Sequence, residues 1–199
     1  MLTNFLMINI DKKYQIEVKN DEKNSRKKKK IILKIYKKNN VLNGSWKWLN
    51  DKKVTALMDK GYKKNTLKDQ LAYFDKIKKS KRDLLFAIYL NGKHVGNAGL
   101  HKINFKLKTA QFGIIIGNSK FHNKGIGKAV WYEIIKFAFD YLDLSKIFTM
   151  IVTKNIPSIK IAKKLGFKKM SIKSYIVKYK KKLSYPKFFL TKANFRKII

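Results

Sequence analysis

The chain has 199 residues, and its 48 Lys and Arg against 12 Asp and Glu give a formal net charge of +36. With 45% hydrophobic residues it is too apolar for a disordered chain, and with no Cys it has no disulfide framework, thiolate metal site or thiol nucleophile. Three His are too few for a His-rich metal centre, and no apolar run nears the roughly 20 residues that span a bilayer.

Met1–Ile10 lacks a basic n-region and a small-residue cleavage site, so the expected location is reducing and cytoplasmic, away from membranes. The charge suggests nucleic acid at first sight. Yet Arg26, Arg82 and Arg196 are the only arginines, and Arg is the usual reader of base edges and bidentate ligand of phosphate. Lys is spread along the whole chain, and the densest basic run, Arg26–Lys30, reads as a solvated tail or edge. The expected partners are therefore small anions, such as nucleotides and sugar diphosphates, rather than nucleic acid.

The polar stretch Lys19–Lys30 is the one shift in composition. It sets residues 1–30 apart as an N-terminal extension and leaves 31–199 as a single domain. Ile31–Tyr36 is short, apolar and β-branched, a strand. Ser45–Met58 reads as one or two short helices. Thr66–Lys79 is a helix, with Thr66 as cap, Asp69 in its first turn and Leu67, Leu71, Phe74 and Ile77 at helical spacing. Leu84–Leu90 and Lys93–Ile103 are strands joined by the two-residue turn Asn91-Gly92. Thr109–Ile116 is a buried strand, and a helix over Gly125–Tyr141 follows with Val130, Ile134, Phe137, Ala138 and Tyr141 on its core face. Lys146–Val152 is a strand, Ser158–Leu165 a helix stopped by Gly166, and two closing strands span 168–179 and 187–192. The order predicts an α/β, mixed α+β fold: a mixed, mostly antiparallel twisted sheet with helices on both faces.

Between the buried strand and its helix lies His122-Asn123-Lys124-Gly125-Ile126-Gly127-Lys128-Ala129. The glycines let backbone N–H groups approach a ligand, and the first amides of the helix, unpartnered and at the positive end of its dipole, suit a pyrophosphate. The spacing is not that of a P-loop, and the third Gly of a dinucleotide fingerprint is missing. Alone, the two glycines would equally suit a tight strand-to-helix turn. A second motif follows: Asn155-Ile156-Pro157-Ser158, then Ala162 and Leu165-Gly166-Phe167. Asn155 and Ser158 would also suit a helix cap.

In this order the two motifs resemble the GNAT superfamily of acetyl-CoA-dependent N-acetyltransferases, over residues 31–195. That family's loop, Q/R-x-x-G-x-G/A, corresponds to His122 through Gly125 to Gly127; its next helix, opening N-x-x-S and ending K-x-G-F, corresponds to Asn155, Ser158, Lys164, Gly166 and Phe167. The resemblance implies the acyl-CoA N-acyltransferase fold, acetyl-CoA as co-substrate and no metal. It implies that His122, Asn123, Lys124, Gly125, Ile126, Gly127, Lys128 and Ala129 hold the pyrophosphate. Ile114, Ile115 and Ile116 would pair through their backbone with the pantetheine arm, and Asn155, Ser158 and Lys164 would complete the cofactor side. Such proteins often dimerise, so a homodimer is also implied.

N-acetyl transfer needs an unprotonated amine, a polarised thioester carbonyl and a proton for the thiolate, and positioning supplies much of the rate. A backbone N–H near Ile114–Ile116 suits the oxyanion. Many relatives place Glu in an A-E-x-G stretch where this chain reads Ala110-Gln111-Phe112-Gly113, and a Tyr acid where it has Ala162. His101, late in the return strand, is the expected substitute base, and Asn97 the residue that orients the substrate. His94 is expected in solvent, His122 on phosphate, and Tyr175 and Tyr179 are further donors.

Trp48-Leu49-Asn50-Asp51 and Val95-Gly96-Asn97-Ala98-Gly99-Leu100 resemble the subgroup that acetylates amino groups of nucleotide-linked sugars. That implies a small-molecule amine as partner, a nucleotide-sugar, met by Trp46, Trp48 and Asn50. The same subgroup resembles ribosomal-protein N-terminal acetyltransferases, so a peptide amine is the alternative. A third reading is a basic nucleic-acid-associated protein without catalysis, suggested by Gln111 and Ala162.

Overall fold

The computed structural model describes residues 15–18, 30–58, 64–170, 175–178 and 181–197, the segments 15–18, 175–178 and 181–184 by backbone alone. Its strands are Gln15–Val18 (β1), Ile31–Ile35 (β2), Leu84–Leu90 (β3), Lys93–Asn104 (β4), Thr109–Ile116 (β5), Lys146–Met150 (β6), Lys168–Lys169 (β7), Tyr175–Lys178 (β8), Lys181–Ser184 (β9) and Lys187–Thr191 (β10). The helices are Lys38–Leu42 (α1), Lys52–Thr55 (α2), Leu67–Lys79 (α3), Ile126–Asp140 (α4), Ile156–Lys164 (α5) and Lys192–Arg196 (α6), with a 3-10 helix over Ser45–Asn50.

Eight strands form one sheet in the order β1-β2-β3-β4-β5-β6-β10-β7, and β8 pairs with β9 apart from it. Every neighbour pair in the large sheet is antiparallel except β5 and β6. This is the mixed, mostly antiparallel sheet expected. Within the stretch expected as an extension, β1 pairs with β2.

Local chemistry explains the elements that set the site. Asn91 and Gly92 both take left-handed backbone, φ 48 and 79, the conformation a two-residue hairpin turn demands. At the start of α3 the Thr66 hydroxyl accepts from the Asp69 amide and the Asp69 carboxylate accepts from the Thr66 amide, a reciprocal capping box. Side chains alternate along a strand, so β3 serves two cores. Leu84, Phe86 and Ile88 pack with α4 residues Val130, Ile134, Phe137 and Ala138. Leu85 and Ala87 pack with Tyr36, Val41 and Phe74 of the opposite layer.

Several assignments depart from expectation, among them helix α6, which begins at Lys192 where the last expected strand was still to run. Tyr141 is 71% exposed, because α4 ends one residue earlier and Leu144 fills the core beyond it. The expected strand 168–179 is split: β7 stops at Lys169, and Tyr179 lies outside the described residues. The closing α5 begins at Ile156, with Asn155 rather than Ser158 as its cap. Helix α1, which no strong periodic signal announces, fits between β2 and the 3-10 helix.

Candidate functional site

Strands β5 and β6 run parallel and pair over three positions, Thr109↔Lys146, Ala110↔Ile147 and Gln111↔Phe148. Beyond Gln111, β5 continues to Ile116 while still paired with β4, through Gly113↔Gly99, Ile114↔Ala98 and Ile115↔Asn97. The segment after β6 turns away: the Ile151 amide donates to the Pro186 carbonyl at 3.3 Å. Among the described residues no strand covers this edge of Phe112–Ile116. A cavity of about 570 Å³ opens there, lined by Asn97, His101 and Ile114 on one wall and Thr149, Asn155 and Tyr185 on the other.

His101 reaches this cavity from β4. Its Nδ1–H donates to Asp83 Oδ1 at 2.9 Å, and the Ser80 hydroxyl donates to the other oxygen of that carboxylate. Burial alone would raise Asp83, but the hydrogen bonds from Ser80 and His101 and the charge of His101 outweigh it and hold the carboxyl below its ordinary value. Asn97 also lines the cavity, with its Oδ1 accepting from His94 Nε2 at 2.8 Å. The side chain expected to orient the substrate is thus also tied to His94.

The loop after β5 is shaped as an anion cradle. Asn123 and Gly125 adopt left-handed backbone, φ 57 and 76. The first backbone hydrogen bond into α4 is donated by Ala129 to Gly125, 3.2 Å, and no side chain caps the helix. The amides of Ile126, Gly127 and Lys128 therefore stand at the positive end of a 15-residue helix. Ile126 is buried and anchors the turn, while Lys124 and Lys128 are exposed beside it. His122 does not turn to a ligand through Nε2, which donates to the Ile116 carbonyl at 2.9 Å. The cradle is not part of the cavity wall but sits past the end of β5, as a long ligand lying along that strand would require.

On the second motif, Asn155 and Ser158 line the cavity while the Asn155 side chain accepts from the Ser158 amide at 3.2 Å. Lys164, exposed in the last turn of α5, is not among the lining residues.

The structure separates the three expected acceptor residues. Trp48 lines the cavity, its indole edge-on to His94 at 4.8 Å. Trp46 instead packs against the core of Tyr36, Val41 and Phe74. Asn50 holds the chain at Asn65, donating to its carbonyl at 2.8 Å and accepting from its amide at 2.7 Å. The two lie off the cavity because residues two apart on a helical turn point to different sides. His94 is not in solvent: it stacks on Tyr89 at 5.3 Å and accepts at Nδ1 from Asn40 at 3.4 Å. Burial pushes its pKa down, against the hydrogen bonds it makes to Asn97 and Gly96.

Asp69, Gln70 and Tyr73 of α3 and the buried Tyr185 also line the cavity, and the sequence reading missed them. For α3 the signal was present, since the helix and its apolar face were legible: Gln70 is a buried polar residue within that face, and Asp69 and Tyr73 flank it. Tyr73 is pushed up to about 12 by burial and by the charges of Asp83 and Tyr36. Tyr185 follows a segment whose strands were misplaced, and nothing in the sequence drew it to the site. Among the described residues, no group of three His, Asp or Glu could hold a metal, and no helix is long and apolar enough to cross a membrane.

Residues 38–168 match the family described as acetyltransferase (GNAT) domain. The chain belongs to that family. It is an acetyl-CoA-dependent N-acetyltransferase, which displaces the reading of a non-catalytic basic scaffold. Its fold is similar to that of the spermidine N-acetyltransferase from Vibrio cholerae in complex with CoA and spermine: TM-score 0.74, 14% identity, covering 83% of this chain and 98% of that one. A mutant form of the Vibrio cholerae spermidine/spermine N-acetyltransferase gives TM-score 0.70 at 13% identity, covering 84% and 96%. The acetyltransferase keeps neither residue commonly used for proton transfer in the family. Gln111 lines the cavity without a titratable group, and Ala162 is fully buried in the core.

Proposed function

We propose that the acetyltransferase moves the acetyl group of acetyl-CoA directly to the amino group of a nucleotide-linked amino sugar. The observation that carries the transfer is the parting of β5 from β6 after Gln111, with the uncapped start of α4 at the far end of the opened edge. The amides of residues 124–128 would hold the pyrophosphate, with Lys124 and Lys128 adding charge. The open edge of Ile114–Ile116 would take the pantetheine arm as a further strand, and an N–H of that edge would stabilise the oxyanion. Trp48 would lie against the sugar or base, and Asn97 would orient it.

For the acceptor, the charge balance supports the anionic choice. A chain of net charge +36 attracts a sugar diphosphate and repels a polycation. Asp69 is the one carboxylate among the described residues lining the cavity, a thin counter-charge for a polyamine. A polyamine remains the second reading, because the two similar structures are spermidine acetyltransferases and because Asp69 and Tyr73 stand on the acceptor side. CoA release with UDP-amino sugars, free-amine peptides and spermidine separates these readings. Turnover of the amino sugars alone supports the proposal; turnover of spermidine or peptides alone replaces it.

A further inference from the structure

His101 is held by more than its own strand. Its Nδ1–H donates to Asp83, whose second oxygen is held by Ser80. Both partners are largely buried, His101 at 26% and Asp83 at 21% side-chain exposure. The ring's opposite edge lies over Gly113: a Cβ built there would sit 3.8 Å from Cδ2 and 3.9 Å from Nε2. Gly113 follows directly on the Phe112 at which β5 loses β6, so the Nε2 edge faces the mouth of the opened strand. Gly113 has no side chain to cover it.

We infer that Asp83 is the positioning residue of a His101–Asp83 pair, fixing the proton on Nδ1 so that Nε2 presents its lone pair to the incoming amine. The inference deepens the transferase reading and rests on it. An alkylammonium acceptor gives one proton to Nε2. The freed nitrogen pair forms the C–N bond to the acetyl carbon. The C–S pair leaves with sulfur, and the thiolate takes a second proton from the nitrogen. The amide keeps the third, and the imidazolium sheds its proton to solvent. His101 thus does the base's work for which Gln111 is unfit, the acceptor nitrogen itself supplies the thiolate proton that Ala162 cannot, and Asp83 stabilises the imidazolium that forms.

The titratable groups around His101 are few. Asp83 stands on one side, and Asp69 and Tyr73 of α3 look across the cavity. The opposite strand presents neutral Gln111 and Gly113. Arg82 turns away, its Nε donating to the Ile103 carbonyl at 3.1 Å.

The test combines kinetics with 15N-histidine NMR of the full chain. In the wild type, NMR is expected to report His101 with the neutral proton on Nδ1; the proton on Nε2 would overturn the inference without any variant. Asp83→Asn is expected to lower kcat/KM about 10- to 100-fold. It should move the pH profile of kcat/KM and leave acetyl-CoA affinity by calorimetry unchanged. His101→Ala should lose more, and adding Asp83→Asn to it should cost little further. Wild-type turnover and an unmoved profile in Asp83→Asn overturn the inference while leaving the transferase reading intact. Absence of acetyl-CoA binding, or of turnover on any amine, removes both.

Discussion

The indole of Trp48 lies directly on the backbone of Gly117, so that any side chain at Gly117 would collide with its Cδ2, Cε3 and Cε2 atoms. Gly117 comes just after β5, and its amide donates to the Val95 carbonyl at 2.8 Å. The ring proposed to meet the acceptor is thereby seated just past the strand proposed to take the coenzyme. Gly117→Ala should unseat Trp48. We expect overpacking to cost about 1–3 kcal/mol of stability by denaturant titration. The KM for the amine should rise, with little change in acetyl-CoA affinity.

Gly125 opens α4 with φ 76 at the end of the anion cradle. Gly125→Ala introduces a side chain into left-handed backbone and should cost about 1–2 kcal/mol. Gly125→Glu adds a negative charge and bulk where a pyrophosphate would lie. Calorimetry should find acetyl-CoA binding weakened by the first and abolished by the second; undiminished binding to Gly125→Glu would remove the cradle from the cofactor site.

His94 titrates below its ordinary value because burial outweighs its hydrogen bonds. A neutral native His is charged more readily in the unfolded chain. Its contribution to stability is therefore present above the unfolded pKa of about 6.5 and is lost as pH falls toward the lower native value. Melting curves between pH 7 and pH 5 should show the wild type losing stability more steeply than His94→Gln.

Asp83 works in the other pH range. Its native carboxyl is held below the model-peptide value of 3.8, so its ionised form favours folding above that pH, and the advantage fades as pH drops through the native pKa. Denaturation at neutral pH should find Asp83→Asn less stable than wild type, and the gap should close below pH 3.8.

Tyr73, pushed up to about 12, stays protonated at any working pH and offers the cavity an O–H donor. With the native pKa raised above the unfolded one, stability holds up to the unfolded pKa of about 10 and falls as pH rises from there through about 12. Tyr73→Phe should remove the highest-pH step from a tyrosinate absorbance titration of the folded protein.

Short-range chemistry was legible in the sequence. The Thr66–Asp69 capping box, the Asn91-Gly92 turn and the glycine loop at the head of α4 each involve groups within a few residues of one another. Their geometry follows from side-chain hydrogen bonding and permitted φ values, whatever the rest of the chain does. For the same reason the turn proposed to hold the cofactor was readable as a motif.

The acceptor side was not, and one bulge shows why. The turn pairs Leu90 with Lys93, and continuing that register would set Asp83 opposite Leu100. Between Ile88 and Tyr89 the pairing slips by one residue, with Val95 as the extra one, and from there on Leu84 pairs with Leu100. The slip brings Asp83 level with His101 instead. A one-residue shift exchanges the faces of a strand, so His101 meets a carboxylate only because of it. By itself the sequence determined the fold family and the glycine turn that opens α4. Which side chains meet across the cavity was decided by tertiary packing, because strand register answers to the burial of both faces at once and not to the residues flanking the turn.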